Sequence, residues 1–191
     1  MIFFIWNMRG FGQRDRRRQL RQFLRQTRVD VIGIQETIRS DFSDAELASL
    51  VGGLPFVWHW IPAVGLSGGI LIGANSESFE VGQIDSGSHF ASLQLHQRDC
   101  NFKWEAIVVY GPANHRGAHV FLEELSSKVR SSSLPVVVAG DFNLTRSPAD
   151  NSNGNFDPIL GNLFNDWIAD QQLREIPRLV ARPRPETVAP R

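Results

Sequence analysis

Four apolar segments of this chain each end in a polar side chain. The segments are rich in β-branched and aromatic residues, which is the pattern of strands packed inside a protein. They end at Asn7, Glu36, Tyr110 and Asp141. In layered α/β folds, catalytic and binding groups gather at strand ends, and a purely structural protein has little reason to repeat this pattern. The pattern therefore predicts a functional site at the strand ends.

The last of these segments carries the strongest signal. Residues 136–139 are continuously apolar, as expected for a strand that is covered on both faces. Gly140 then frees the backbone, and Asp141 and Asn143 point to the same side if the chain stays extended. A carboxylate beside an amide suits a hard cation or a phosphate-bound nucleophile. The alternative is an ordinary turn, because Gly, Asp and Asn all favour turns.

Further strands and helices are predicted around these segments. Strands separated by Gly, Ser, Asn and Asp turns are predicted at 56–61, 69–73, 79–84, 90–96 and 103–110. Helical periodicity and capping signals predict helices at 14–28, 43–50, 118–129 and 157–172. Hairpin-linked strands between helical segments favour a mixed α/β sandwich over a Rossmann sheet.

Composition indicates one ordinary globular domain. The chain has 191 residues, of which 42% are hydrophobic and 21% charged. Its single cysteine, Cys100, excludes an internal disulfide framework. The sequence has no run of about 18 apolar residues, which a membrane span would need, and no secretory signal precedes the first strand. We therefore expect an intracellular protein, nuclear or cytoplasmic, that is neither secreted nor membrane-bound.

Positive charge is concentrated near the N-terminus. Residues 1–40 hold nine arginines against three acidic residues, a net charge of +6, and the remainder has a net charge of −6. In the predicted helix at 14–28, Leu20, Phe23 and Leu24 form the inward side. Arginines form an outer stripe at Arg17, Arg21, Arg25 and Arg28. Such a stripe suits attachment to nucleic acid, and a solvated helix face is the alternative.

Five short motifs together carry a resemblance to a known superfamily. In chain order they are Trp6-Asn7-Met8-Arg9-Gly10, Gln35-Glu36-Thr37, Ser67-Gly68-Gly69-Ile70, Tyr110-Gly111-Pro112 and Gly140-Asp141-Phe142-Asn143. This order resembles the endonuclease/exonuclease/phosphatase superfamily, and within it the apurinic-type endonuclease of plant non-LTR (LINE-type) retrotransposons. The resemblance continues through residues 151–176, including Asn153-Gly154-Asn155-Phe156-Asp157, and covers about nine-tenths of the chain. It implies a DNase I-like four-layer sandwich of two mixed β-sheets flanked by helices, formed by residues 1–176.

The resemblance also implies a role for each residue of the predicted site. Glu36 would be the principal ligand of Mg²⁺ (or Mn²⁺), with Asn7 close to the metal or the scissile phosphate. Asp141 would orient or deprotonate the attacking water, Asn143 would hold a phosphate oxygen, and Tyr110 would contact the phosphate or the leaving group. DNA would be the partner. Arg9, Arg17, Arg21 and Arg25 are the candidate contacts to its backbone.

One part of the family pattern is missing from the sequence. Members carry a Ser-Asp-His element and, upstream of it, another Asp that pairs with the catalytic His; no Ser-Asp-His occurs here. Residues 177–191 are rich in Pro and Arg, with neither strand alternation nor helical period, which predicts a disordered tail. The interpretation is a truncated or frame-shifted copy that lacks the C-terminal strands and has impaired activity. Two alternatives remain: a catalytically dead protein that still binds nucleic acid, and an enzyme acting on small phosphoesters.

Overall fold

Two four-stranded β-sheets form the centre of the protein. The computed structural model describes residues 1–65, 67–150 and 156–176. In chain order the strands are β1 (Phe3–Asn7), β2 (Val31–Gln35), β3 (Phe56–Ile61), β4 (Ile70–Asn75), β5 (Phe79–Ser86), β6 (Phe90–Gln97), β7 (Lys103–Tyr110) and β8 (Val136–Asp141). The first sheet has the order β1-β2-β4-β3, and the second has the order β5-β6-β7-β8.

Helices cover the outer faces of both sheets. They are α1 (Arg14–Gln26), α2 (Asp44–Leu50), α3 (Ala118–Ser131) and α4 (Pro158–Asp170), with short 3₁₀ helices at His115–Gly117 and Pro148–Asp150. The start of α2 is a capping box between Ser43 and Glu46. At the start of α4 the Asp157 carboxylate accepts from two backbone N–H groups, and Pro158 occupies the first helical position. Within the described ranges, no helix is long and apolar enough to cross a bilayer.

Strand direction brings the predicted site to one end of the molecule. β1 pairs parallel with β2, and β7 pairs parallel with β8, whereas the other neighbours are antiparallel. Because parallel strands end at the same edge of a sheet, Asn7 lies beside Glu36, and Tyr110 lies beside Asp141. Each sheet therefore contributes one pair of candidate residues.

The core consists of three apolar layers. The first lies between α1, α2 and the outer face of the first sheet, and includes Leu20, Ile32 and Leu47. The second fills the space between the sheets, and the third lies between the second sheet and helices α3 and α4. This arrangement confirms the predicted four-layer sandwich of two mixed sheets.

The prediction that β8 is covered on both faces holds only in part: Val137 packs against the layer between the sheets, and Val136 and Val138 pack against the layer with α3 and α4, but the coverage is incomplete. Every residue of β8 is half-buried, and β8 is the edge strand of its sheet among the residues that the structure describes. An open, largely apolar groove of about 800 Å³ runs along it, lined in part by Phe164, Trp167 and Leu173 of the α4 region. A run of β-branched residues shows that a strand is packed, but does not show whether both of its edges are paired with other strands. The predictions for residues 151–155 and for the tail at 177–191 lie outside the described residues.

Candidate active site

Four predicted site residues from two sheets meet in one hydrogen-bonded cluster. The Asn7 side-chain amide donates from Nδ2 to Glu36 Oε1 at 3.0 Å and to Asp141 Oδ2 at 2.7 Å. The Tyr110 hydroxyl donates to Glu36 Oε1 at 2.8 Å. The cluster thus joins the first sheet to the second at the shared strand end. It is the convergence that the strand-end pattern predicts.

Asn7 lies at the centre of this cluster. Its amide oxygen accepts from the backbone N–H of Arg9 at 3.1 Å, so its nitrogen faces the two carboxylates. A neutral group with two N–H donors can hold two carboxylates close together, which direct contact between like charges would oppose. In this orientation Asn7 organises the carboxylates, and its oxygen is engaged by the backbone. Whether it also ligates a metal stays a prediction.

Tyr110 is a neutral hydrogen-bond donor in this setting. Burial, together with the hydrogen bond to the Glu36 carboxylate, raises the pKa of Tyr110 to about 12. The phenol therefore keeps its proton at neutral pH. A protonated phenol can donate to an oxygen that carries negative charge, such as a phosphate oxygen or a leaving group.

The loop after β8 is shaped by Gly140 and Asn143. Gly140 has φ +149°, and a Cβ there would lie 2.0 Å from the backbone oxygen of Val109, so only glycine fits. The expectation that Asp141 and Asn143 point to the same side required an extended chain. Asn143 has φ +51°, so the chain does not stay extended after Asp141. Instead the Asn143 backbone N–H donates to Asp141 Oδ1 at 3.0 Å, and its side chain donates to the Gly111 backbone oxygen at 2.7 Å. Asn143 thus fixes the aspartate and joins the two loops of the second sheet.

Backbone strain is concentrated at the same end of the sheets. Arg9, Glu36 and Ile38 have φ values of +50°, +51° and +51°, which are unfavourable for residues with a Cβ. The backbone around Glu36 is held on one side by Gly10 and on the other by Gly68. The Gly10 N–H donates to the Glu36 backbone oxygen at 2.7 Å, and the Ile38 N–H donates to the Gly68 backbone oxygen at 3.1 Å. These contacts keep the Glu36 carboxylate in place against an intrinsic conformational cost.

The Ser67-Gly68-Gly69 motif packs closely against the Glu36 segment. A Cβ at Gly69 would lie 2.3 Å from the Thr37 hydroxyl, and the Thr37 backbone N–H donates to the Gly69 oxygen at 3.2 Å. The glycines therefore allow a close approach of two loops. This is the structural reason for glycine at position 69.

The donor set at this site fits a hard divalent cation. Glu36 Oε1 accepts two hydrogen bonds, whereas Oε2 accepts none from any described residue. The buried side chains of Gln35 and Thr37, on either side of Glu36, also have polar atoms without a partner among the described residues. Mg²⁺ uses one or two carboxylates, keeps several waters, and prefers oxygen ligands. Within the described ranges, no three His, Cys, Asp or Glu side chains form a metal-binding group, so Glu36 and Asp141 would provide the charge.

No histidine within the described residues hydrogen-bonds to either site carboxylate. His115 is exposed, in the short 3₁₀ helix after the Tyr110 loop. The backbone of His89 lies next to Tyr110, because the His89 carbonyl accepts from the Tyr110 N–H at 2.9 Å. The His89 ring, however, contacts Glu124 of α3 at 2.7 Å. Sequence reasoning missed the His89–Glu124 pair, and the buried unpartnered amide of Gln35, because both depend on long-range packing.

The basic helix α1 begins beside this site. The Arg16 guanidinium donates to the backbone oxygens of Met8 and Arg9, at 2.6 and 2.8 Å. Arg17 and Arg21 are half-buried, whereas Arg9 and Arg25 are exposed. Leu20 and Leu24 are buried as predicted. The prediction that Phe23 faces inward is wrong: it is 42% exposed, and its ring packs on Phe4 at the edge of the apolar layer.

Comparison with known proteins shows the family. The model of the endonuclease/exonuclease/phosphatase family matches residues 5–186, nearly the whole chain. The protein belongs to the endonuclease/exonuclease/phosphatase family. A comparison with curated protein sequences finds no match.

Solved structures show the same fold at low sequence identity. An AP endonuclease from Leishmania major is 15% identical, with a TM-score of 0.68 over 88% of this chain and 66% of that one. An AP endonuclease from Archaeoglobus fulgidus is 15% identical, with a TM-score of 0.63 over 88% and 70% of the two chains. A mannosyl-6-phosphatase from Bacteroides thetaiotaomicron is 14% identical, with a TM-score of 0.54 over 75% and 66%. This chain thus spans about two thirds of the length of such family members, and the likeness establishes a DNase I-like fold.

Proposed function

We propose that this protein is a Mg²⁺-dependent (or Mn²⁺-dependent) phosphodiester hydrolase of LINE-type retrotransposon origin, and that its substrate is DNA. The observation that carries the proposal is the Asn7 amide, which holds Glu36 and Asp141 together across two sheets. The motif resemblance supports the retrotransposon origin. AP endonucleases with the same fold support a DNA substrate.

Each side chain of the cluster has a role in this chemistry. Glu36 would hold the cation, which when bound supplies positive charge to the scissile phosphate. Asp141 would accept a hydrogen bond or a proton from the attacking water, and Asn143 would hold a phosphate oxygen. Tyr110, kept protonated by its raised pKa, would donate to a phosphate or leaving-group oxygen. Asn7 would keep the two carboxylates at a fixed separation.

We further propose that catalysis by this cluster is slow. None of the described histidines hydrogen-bonds to Glu36 or Asp141, so the cluster has no histidine general base. Loss of a general acid–base group typically lowers a rate by about 10²–10⁴-fold. The remaining rate would come from the cation and the Asp141 carboxylate.

The test compares substrates under one set of conditions. Purified protein in Mg²⁺ is incubated with an end-labelled duplex, with the same duplex carrying an abasic site, and with small phosphomonoesters. We expect slow strand cleavage of the duplexes and no phosphate release from the small esters. Phosphate release without strand cleavage would replace the proposal with a small-molecule phosphoesterase.

A protein that binds nucleic acid without cutting it is the second candidate. It is favoured by the strongly basic helix α1 and by site carboxylates to which no described histidine hydrogen-bonds. This candidate predicts that EDTA leaves DNA binding unchanged and that no cleavage accumulates on prolonged incubation with Mg²⁺.

A further inference from the structure

Helix α1 has a surface depression lined only by arginine and glutamine side chains. Its volume is about 380 Å³, and it is lined by Arg18, Arg21, Gln22, Arg25 and Gln26. Residues three and four apart on a helix lie on one face, so Arg18, Arg21 and Arg25 form a continuous row. Among the residues lining the depression there is neither an acid nor an apolar side chain. A ligand recognised here would be an anion.

Acceptors within the protein neutralise little of the positive charge of these three arginines. Arg18 contacts Asp15 at 3.8 Å, but both side chains are more than 80% exposed, and such pairs contribute little. Arg25 donates to the Ser49 backbone oxygen only at 3.5 Å. The Arg21 Nε is buried, yet it has no acceptor in the part of the chain that the structure describes.

This concentration of like charge has an energetic cost. Like charges three or four residues apart destabilise a helix by roughly 0.2–0.5 kcal/mol per pair. Helix α1 has six arginines and a single acidic residue in 13 positions. An anion bound along the row would remove this repulsion, and phosphate suits it because a guanidinium can bind two phosphate oxygens at once.

The position of the row relates it to the candidate active site. Helix α1 begins within a few residues of Asn7, and Arg16 bonds to the loop that contains Arg9. At 1.5 Å per residue, the row from Arg18 to Arg25 is roughly 10 Å long. The long arginine side chains of such a row can reach neighbouring phosphates of one DNA strand, so each of the three is a candidate for one phosphate contact.

We propose that Arg18, Arg21 and Arg25 form a binding row for the DNA backbone, outside the bond that is cut. The proposal rests on the function proposed above and identifies how a polymer, rather than a small phosphoester, would be held. DNA is favoured over an acidic protein because the depression offers no apolar anchor. Helix α1 begins beside the site, where Arg16 bonds to the backbone of Met8 and Arg9, so duplex flanking the cut strand would lie along the helix.

The test measures the salt dependence of DNA binding in EDTA, where no cleavage can occur. Fluorescence anisotropy with a labelled duplex compares the wild-type protein with the triple variant Arg18→Gln, Arg21→Gln, Arg25→Gln. A matched control, Arg98→Gln, Lys103→Gln, Arg130→Gln, removes the same charge. Lys103 begins β7 and Arg130 lies in the last turn of α3, at the end of the sandwich remote from Tyr110. Thermal melts show whether each variant folds.

The row variant should lose salt dependence, and the control should not. Each lost phosphate contact lowers the slope of log K against log [salt] by about 0.9, so we expect a decrease of about 2.7 and at least about tenfold weaker binding at low salt. An unchanged slope, or an equal decrease in both variants, would overturn the proposal. If the triple variant does not fold, the exposed single change Arg25→Gln should lower the slope by about 0.9.

The outcome is separable from the test of the proposed function. A smaller slope in the row variant supports the binding row even if the wild-type protein cuts no DNA. Cleavage by the wild-type protein, with an unchanged slope in the row variant, overturns the binding row and leaves the hydrolase proposal standing.

Discussion

Replacing Asn7 by alanine should remove the hydrogen bonds that link the two sheets at the site. The Asn7 amide donates to Glu36 at 3.0 Å and to Asp141 at 2.7 Å, and the second bond joins residues that are 134 positions apart. Without the amide, two carboxylates would face each other with no donor between them. We therefore expect Asn7→Ala to destabilise the fold as well as to lower activity.

The magnitude follows from the two hydrogen bonds. A hydrogen bond to a charged group contributes about 1.5–3 kcal/mol, and both carboxylates are only partly buried, so the combined loss should be about 2–4 kcal/mol. For a domain of this size, 1 kcal/mol corresponds to about 2–4 °C in the melting midpoint. Asn7→Ala should therefore lower the midpoint by about 4–16 °C in EDTA. Because a cation held by Glu36 would offset the repulsion between the carboxylates, the loss should be smaller when Mg²⁺ is present.

Urea unfolding of a double-mutant cycle measures the bond itself. The cycle uses Asn7→Ala, Asp141→Ala and the double variant, and the coupling energy should be about 1–2 kcal/mol. A coupling energy below about 0.5 kcal/mol would show that the Asn7–Asp141 contact does not hold the sheets together. The stated geometry of the site would then be refuted, whatever the activity of the variants.

Three further changes test other parts of the structure. Gly140→Ala places a Cβ against the backbone of β7 and should cost more than about 2 kcal/mol; a melting midpoint within about 2 °C of the wild type would contradict this. Lys128→Met leaves Glu105, which is 1% exposed, without its ion-pair partner and with only the Ser92 hydroxyl as a donor among the described residues. This change should cost about 3–5 kcal/mol in urea unfolding, with recovery when Glu105→Gln is added. An equally unstable double variant would contradict the pairing. Tyr110→Phe should lower DNA cleavage by about 10²-fold or more. Because the pKa of Tyr110 is raised to about 12, the phenol keeps its proton up to about pH 11. The ratio of the wild-type rate to the variant rate should therefore not change between pH 6 and 9. A ratio that falls across this range would contradict the donor role.

Much of the secondary structure can be predicted from local pattern. The strands Phe56–Ile61 and Lys103–Tyr110 have the predicted bounds, and the other predicted strands and helices differ by a few residues at their ends. In these segments, apolar alternation and flanking turn residues agree with the final packing. The strand-end pattern also identifies the four residues of the cluster, because parallel pairing aligns the ends of neighbouring strands.

Side-chain orientation could not be predicted in the same way. The left-handed backbone at Asn143 is stabilised by its own bonds to Asp141 and Gly111, which involve a loop 32 residues away. The half-buried state of β8 depends on which segments lie beside it, and a run of valines carries no information about that. Phe23 follows a helical period that suits burial, but Leu20 and Leu24 take the buried positions and Phe23 lies at the edge of the layer.

Nicking of supercoiled plasmid is the most direct test of the central claim. Purified protein in Mg²⁺ is compared with an EDTA control and with Asp141→Ala, over incubations long enough to detect a rate reduced by about 10⁴-fold. The account predicts slow conversion of supercoiled to open-circular DNA that disappears in both controls. Nicking that persists in Asp141→Ala, or no nicking above that variant at any protein concentration, would contradict the claim that this cluster hydrolyses phosphodiester bonds.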